Sequence, residues 1–144
     1  MNKINLRKET MATRSNISVK VDGKYRTIYC HWDGYLAYNG AVLLEHYNSQ
    51  KLAEELVSNG DISSLREKCS KPEGHSFENR IEGYTVYYGR DRGEEGTEYK
   101  ESEERPQCEE EYLYVFEDGK WHVESEYIPN GYQELTEELI ALNY

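Results

Sequence analysis

The sequence predicts an α+β fold, a mainly antiparallel sheet of about five strands with two to four helices packed on it. Three observations carry that expectation. Two strand pairs are each joined by an Asp-Gly turn, Asp22-Gly23 and Asp118-Gly119, and both residue types tolerate the positive φ of a tight hairpin. Helical spacing is grouped between strand pairs instead of alternating with every strand, which disfavours a parallel sheet. The chain has 144 residues with 14 Tyr, 2 Trp and 2 Phe, enough aromatic area for one core despite its charge.

The elements follow in order. Residues 1–14 read as a flexible lead, and residues 15–144 as a single α+β domain. Ile17, Val19 and Val21 alternate with Ser18 and Lys20, so this segment is a strand with one apolar face. Tyr25 to His31, rich in aromatic and β-branched residues, is its hairpin partner. Asn39 is expected to cap a helix whose buried stripe is Val42, Leu43, Leu44 and Tyr47. Leu52, Ala53, Leu56 and Val57 repeat the spacing from Ser49 to Ser58, and Gly60 stops it. Asp61 is expected to cap a short helix from Ile62 to Lys68.

Residues 69–82 read as a loop, with Pro72, Gly74 and Asn79 as turn formers. Tyr84 to Tyr88 is a further strand, and a polar stretch runs from Gly89 to Glu111. The second hairpin pairs Tyr112–Phe116 with Lys120–Ser125 across Asp118-Gly119. Pro129-Asn130-Gly131 turns the chain. Leu135, Leu139, Ile140 and Leu142 form a closing helix with Glu134, Glu137 and Glu138 near its N-terminal end.

Charge narrows the functional classes. Lys plus Arg is 17 against 28 Asp plus Glu, a net charge of −11. Phosphate backbones are held by clustered Lys and Arg, so direct nucleic-acid binding is not expected. The longest apolar run, Ala41-Val42-Leu43-Leu44, is far short of the roughly 20 residues of a membrane helix. Met1 to Thr10 lack the apolar stretch of a secretory signal. Cys30, Cys69 and Cys108 are odd in number and widely spaced, which fits a reducing compartment better than a disulfide framework. No calcium loop, zinc set, P-loop or dinucleotide fingerprint is present, so no metal or cofactor is expected.

Three clusters carry chemistry. Tyr29-Cys30-His31-Trp32-Asp33-Gly34-Tyr35 lies at a strand end, where a rigid sheet positions loops. Trp32 or Tyr35 is suited to stacking on a base, and Asp33 to a ribose hydroxyl or to orienting His31; the plain alternative is core aromatics. Gly89-Arg90-Asp91-Arg92-Gly93 sets two forked cations where they suit a phosphate, with Arg14 a further anion ligand; the alternative is surface ion pairing. Gly74-His75-Ser76-Phe77 adds His75, either a ligand or proton carrier or a loop histidine held locally.

A fourth feature is acidic. Glu94, Glu95, Glu98, Glu101, Glu103, Glu104, Glu109, Glu110 and Glu111 stand against only Lys100 and Arg105. They form either a solvated face or a surface that imitates a phosphate backbone toward a basic partner.

These motifs, with Met11-Ala12-Thr13-Arg14-Ser15-Asn16-Ile17, Leu44-Glu45-His46-Tyr47 and Gly60-Asp61-Ile62-Ser63-Ser64-Leu65, resemble a family of small tailed-phage and prophage proteins. The resemblance runs from Met11 to the hairpin near Trp121, and residues 1–10 read as an extension. It implies a phage accessory protein acting in the host bacterial cytoplasm against host defence.

The expectation for function is a non-catalytic module that sequesters a nucleotide-like signalling ligand through Arg14, His31, Trp32, Asp33, Tyr35, His75, Arg90 and Arg92, with room for a homo-oligomer. The alternatives are an acidic, anti-CRISPR-like inhibitor of a host defence protein that binds nucleic acid, and a small phosphodiesterase or nuclease using His31 or His75.

Overall fold

The computed structural model describes residues 12–143. Strand β1 (Ser15–Val21) turns through Asp22 and Gly23, at φ 52 and 81, into β2 (Lys24–Cys30). A π-helical turn (Leu36–Gly40) leads into α1 (Ala41–His46), followed by α2 (Gln50–Ser58), β3 (Ile62–Ser64) and β4 (Val86–Tyr87). Next come α3 (Tyr88–Arg92), β5 (Lys100–Ser102), β6 (Tyr112–Glu117), β7 (Lys120–Glu124), β8 (Gln133–Glu134) and α4 (Glu137–Leu142). The fold is α+β, as the sequence predicts.

The sheet is larger and more mixed than the expected antiparallel five. Its eight strands run β4-β3-β2-β1-β6-β7-β8, with β5 paired to the first half of β2. Two pairings are parallel, β1 with β6 and β2 with β3. The long excursion between the hairpins returns β6 alongside β1 in the same direction, which a simple meander cannot do.

Alternation along β1 sends Ile17 and Val19 to the face beneath α1 and α2. There they meet Ile28, Leu43, Ala53, Leu56, Tyr114, Phe116, Trp121 and Val123 in the main core. The Trp121 indole N–H donates to the Tyr47 carbonyl at 3.0 Å, tying sheet to helix. The opposite face carries Tyr25, Leu113 and Val115, with Cys108 and Tyr132 packed against them. At its margin Glu117, buried, accepts hydrogen bonds from the hydroxyls of Tyr25 and Tyr132.

Several local expectations are corrected. Ile62-Ser63-Ser64 is strand, not helix, because the end of β2 claims its backbone: His31 N–H donates to Ile62 O at 3.2 Å and Trp32 N–H to Ser63 O at 3.0 Å. Asp61 caps no helix; its Oδ1 accepts the Tyr29 N–H at 2.9 Å. Asn39 caps none either. It is buried, and its Nδ2 donates to Ser15 Oγ, Cys30 Sγ and Trp32 O.

The segment expected as a strand to Tyr88 ends at Tyr87, and Tyr88–Arg92 is a short helix closed by Gly93 at φ 79. The polar stretch contains β5, and β8 follows the Pro129-Asn130-Gly131 turn. Of the expected lead, residues 1–11 lie outside the described residues. Residues 12–14 are attached to the domain: Ala12 is buried and Thr13 O accepts the Gly34 N–H at 2.9 Å. Among the described residues no helix is long and apolar enough to cross a membrane.

Candidate functional site

The antiparallel register of the first hairpin pairs Ser15 with Cys30 and Asn16 with Tyr29. That brings Arg14, at the head of β1, to the end of β2. Tyr29 and His31 are two apart on an extended strand and share a face. The Tyr29 hydroxyl and His31 Nδ1 are hydrogen-bonded at 2.8 Å. Trp32 meets the His31 ring edge-on, with centroids 4.7 Å apart.

Burial pushes the Tyr29 phenol up, and the Arg14 guanidinium pulls it partly back. Burial and then the same Arg14 charge lower His31, which favours the neutral imidazole. Arg14, Tyr29, His31 and Trp32 thus form one cluster.

The Trp32 platform is firmly mounted. Its N–H is held by Ser63 and its carbonyl by Asn39, while the residue stays 38 % exposed. Asp33 then takes φ 61, a left-handed conformation that ends the extended run. His31 Nδ1 is accordingly partnered by Tyr29, not by Asp33. Gly34 follows where a Cβ would sit 2.9 Å from Thr13 O, so only glycine lets the β2 exit pass the β1 entry so closely. Tyr35 is exposed and packs edge-on against Tyr38 and Tyr112 instead of joining Trp32 as a platform.

The two other clusters are joined to each other, but not in the role expected. Arg90 is an internal tie. Its Nε donates to Asp91 Oδ1 at 2.8 Å and its Nη1 to Cys69 O at 2.8 Å, and its guanidinium lies 4.5 Å from the Tyr87 ring centroid. That occupies the fork that a phosphate would need, so the expectation of Arg90 as an anion ligand is corrected. His75 is corrected likewise. Its side chain is fully buried, Nδ1 accepts the Ile81 N–H at 3.0 Å, and Nε2 faces Thr85 O and Asp91 Oδ2. Since Nδ1 accepts, the ring hydrogen sits on Nε2.

Arg92 remains outward. Its guanidinium lies over the rings of Phe77 and Tyr88 and pairs with Glu94. Asp61 bridges this patch to the first cluster, because its carbonyl accepts the Tyr88 N–H at 3.1 Å while its carboxylate holds Tyr29. The sequence offers no site role for Tyr29 or Tyr88, and for Asn39 and Asp61 only helix caps. The hairpin register was the signal that placed Tyr29.

The acidic stretch is spread along the surface. Glu94, Glu95, Glu98, Glu101, Glu103, Glu104 and Glu109 are exposed, and Glu110 and Glu111 half-buried. Glu101 pairs with Arg26, Glu103 with Lys24, and Glu111 accepts the Arg14 backbone N–H at 2.6 Å. Among the described residues no group of three or more His, Cys, Asp or Glu is placed to hold a metal ion. Compared with protein-family models, curated proteins and solved structures, the chain has no match.

Proposed function

We propose that the chain is a non-catalytic binding module for a phosphorylated, nucleotide-like ligand at the end of β2. The observation that carries this reading is the convergence of Arg14, Tyr29 and His31 beside a rigidly mounted, part-exposed Trp32. Arg14 supplies a forked cation for phosphate. Trp32 supplies a flat face for a base, and the Tyr29–His31 pair supplies polar atoms for ring or ribose groups. Arg92, across the Asp61 bridge, is the second cation. Arg90 and His75 hold the scaffold. The phage-like motifs suggest the setting: an accessory protein in a bacterial cytoplasm that removes a defence signal.

Trp32 is exposed and Trp121 fully buried, so a stacked base should quench one emission and leave the other as an internal reference. The test is a fluorescence and thermal-shift screen of linear and cyclic nucleotides, with bound ligand identified by mass spectrometry. Expected are quenching, stabilisation by mass action and intact ligand, with Arg14→Ala and Trp32→Ala each losing about tenfold or more, the scale of one charge-assisted contact. No response across the panel would overturn the reading. Product formed by the native protein and abolished in His31→Ala would replace it with the phosphodiesterase.

A second reading is an acidic inhibitor of a nucleic-acid-binding host protein. It is favoured by the exposure of Glu94, Glu95, Glu98 and Glu104; of these only Glu94 is in an ion pair among the described residues. It predicts a salt-sensitive complex that tolerates Arg14→Ala.

A further inference from the structure

We propose that a row of tyrosines at the head of β6 is a docking surface for an arginine-bearing segment of a partner protein. Tyr38, Tyr35, Tyr112 and Tyr127 form a continuous chain of rings, with successive centroids 6.0, 6.3 and 6.1 Å apart. Tyr112 is the buried floor, stacked on Tyr114, whose hydroxyl is bonded to Gly34 O at 2.7 Å. The other three rings, Tyr38, Tyr35 and Tyr127, are 58 %, 45 % and 59 % exposed. They add little to the core, and exposed aromatic area of this extent marks contact surfaces.

Charge selects the occupant. Glu111, whose carboxylate accepts the Arg14 N–H at 2.6 Å, precedes Tyr112, and the exposed Glu126 precedes Tyr127. Ser125 pins these two segments together, donating to Glu111 O at 2.7 Å and accepting the Tyr127 N–H at 3.1 Å. Ser125, Glu126 and Ile128, on either side of Tyr127 in sequence, also line a cleft of about 470 Å³ with Glu109, Glu110 and Glu124 around Cys108, and no Lys or Arg is in its lining. A nucleic acid is repelled by such a rim.

The fold itself shows what sits well on a tyrosine with a carboxylate at hand. Arg26 lies over Tyr99 and pairs with Glu101. Arg92 lies over Tyr88 and pairs with Glu94. Arg105 lies 3.6 Å from the Tyr132 centroid and pairs with Glu117. In each, a guanidinium takes a ring face and a carboxylate together, combining cation–π attraction with an ion pair; Lys20 does the same over Tyr25 with Glu117, but at a longer 5.5 Å from the ring. The row supplies rings and carboxylates, and among the described residues no Lys or Arg lies over them. The guanidinium comes from the partner.

The test is fluorescence anisotropy of the full chain with a labelled octa-arginine peptide at near-physiological salt, against octa-lysine and a Gly-Ser peptide. Octa-arginine is expected to bind most tightly. Tyr38→Ala with Tyr127→Ala, which leaves the net charge unchanged, is expected to weaken it about tenfold, the scale of lost cation–π contacts. Tyr38→Phe with Tyr127→Phe, which keeps the rings, is expected to restore it. Ala variants that bind like the native chain, or equal affinity for both cationic peptides, would overturn the proposal in favour of bulk charge attraction. Absence of binding, or equal binding of the Gly-Ser peptide, would also overturn it. Nucleotide quenching of Trp32 in the Ala variants reports separately on the site at the end of β2.

Discussion

Arg90 and Asp91 are neighbours in sequence and a two-point ion pair in space, Nε to Oδ1 at 2.8 Å and Nη2 to Oδ2 at 3.1 Å. The Asp91 side chain is fully buried and also accepts the Tyr87 N–H at 2.8 Å. Burial raises its carboxyl, but these donors outweigh it and hold the group below the usual carboxylate range. Removing the cation leaves a buried charge uncompensated. Arg90→Ala is expected to cost about 3 kcal/mol in urea unfolding, in line with broken buried pairs. Arg90→Lys should recover only part, since an ammonium cannot fork. An Arg90→Ala protein of native stability would show that the pair contributes little.

The same logic sets the pH profile. Burial raises Glu117 too, yet the Tyr132 and Tyr25 hydroxyls and nearby cations bring it below its ordinary value. Both carboxyls, depressed in the folded state, contribute stability above the unfolded range of about 4, and that contribution is lost as pH falls through their lower folded values. Tyr25 behaves oppositely. Burial, then its bond to Glu117, raises it from 10.0 to about 12. Its contribution is complete below the ordinary phenol value and disappears as pH climbs toward the folded one. Urea midpoints across pH should fall at both ends, and Glu117→Gln should soften both limbs.

Two glycines at similar φ should respond differently to alanine. Gly23 sits at φ +81 with open space where a methyl would go, whereas Gly60, at φ +90, would place one 2.3 Å from Thr97 O. Gly23→Ala incurs only the backbone penalty, about 1 kcal/mol. Gly60→Ala must also push apart the contact that holds Asp61, whose N–H donates to Thr97 O at 2.8 Å. It should cost at least twice as much and weaken ligand quenching of Trp32. Equal costs would mean the Thr97 loop yields freely.

Asn39 links stability to the site. Asn39→Ala leaves the Trp32 carbonyl with only the weak Cys30 thiol donor and takes this donor from the Ser15 hydroxyl. A loss of about 2 kcal/mol is expected for a buried group left unpaired, together with broader, less quenchable Trp32 emission. An unchanged Trp32 signal would show that Ser63 and Cys30 mount the residue without Asn39.

Both hairpins were legible because their turns demand positive φ, which Asp22, Gly23, Asp118 and Gly119 adopt and few residue types accept. That register also contained part of the site: continued past Ser15 and Cys30, it sets Arg14 opposite His31. Strand β3 was hidden because Ile62-Ser63-Ser64 shows no alternation and is buried throughout. Only the backbone of β2 makes it a strand. The role of Arg90 was hidden for a similar reason, since the Cys69 carbonyl that takes its Nη1 comes from a loop 21 residues away. A sequence window reports what a side chain can bind, not what already binds it.

The parallel pairing of β1 with β6 sets the tempo of folding. β1 is interior to the sheet, yet the strand that covers its second edge begins only at Tyr112. A chain emerging from the ribosome therefore carries its first hairpin with one edge open while most of the sequence is made. Tyr114, Phe116 and Trp121 of the main core arrive later still, and Ile128 and Leu135 after them. Closing so long a loop before its contacts are rewarded is expected to slow folding relative to a fold of local contacts. The core is finished only after synthesis has passed β7.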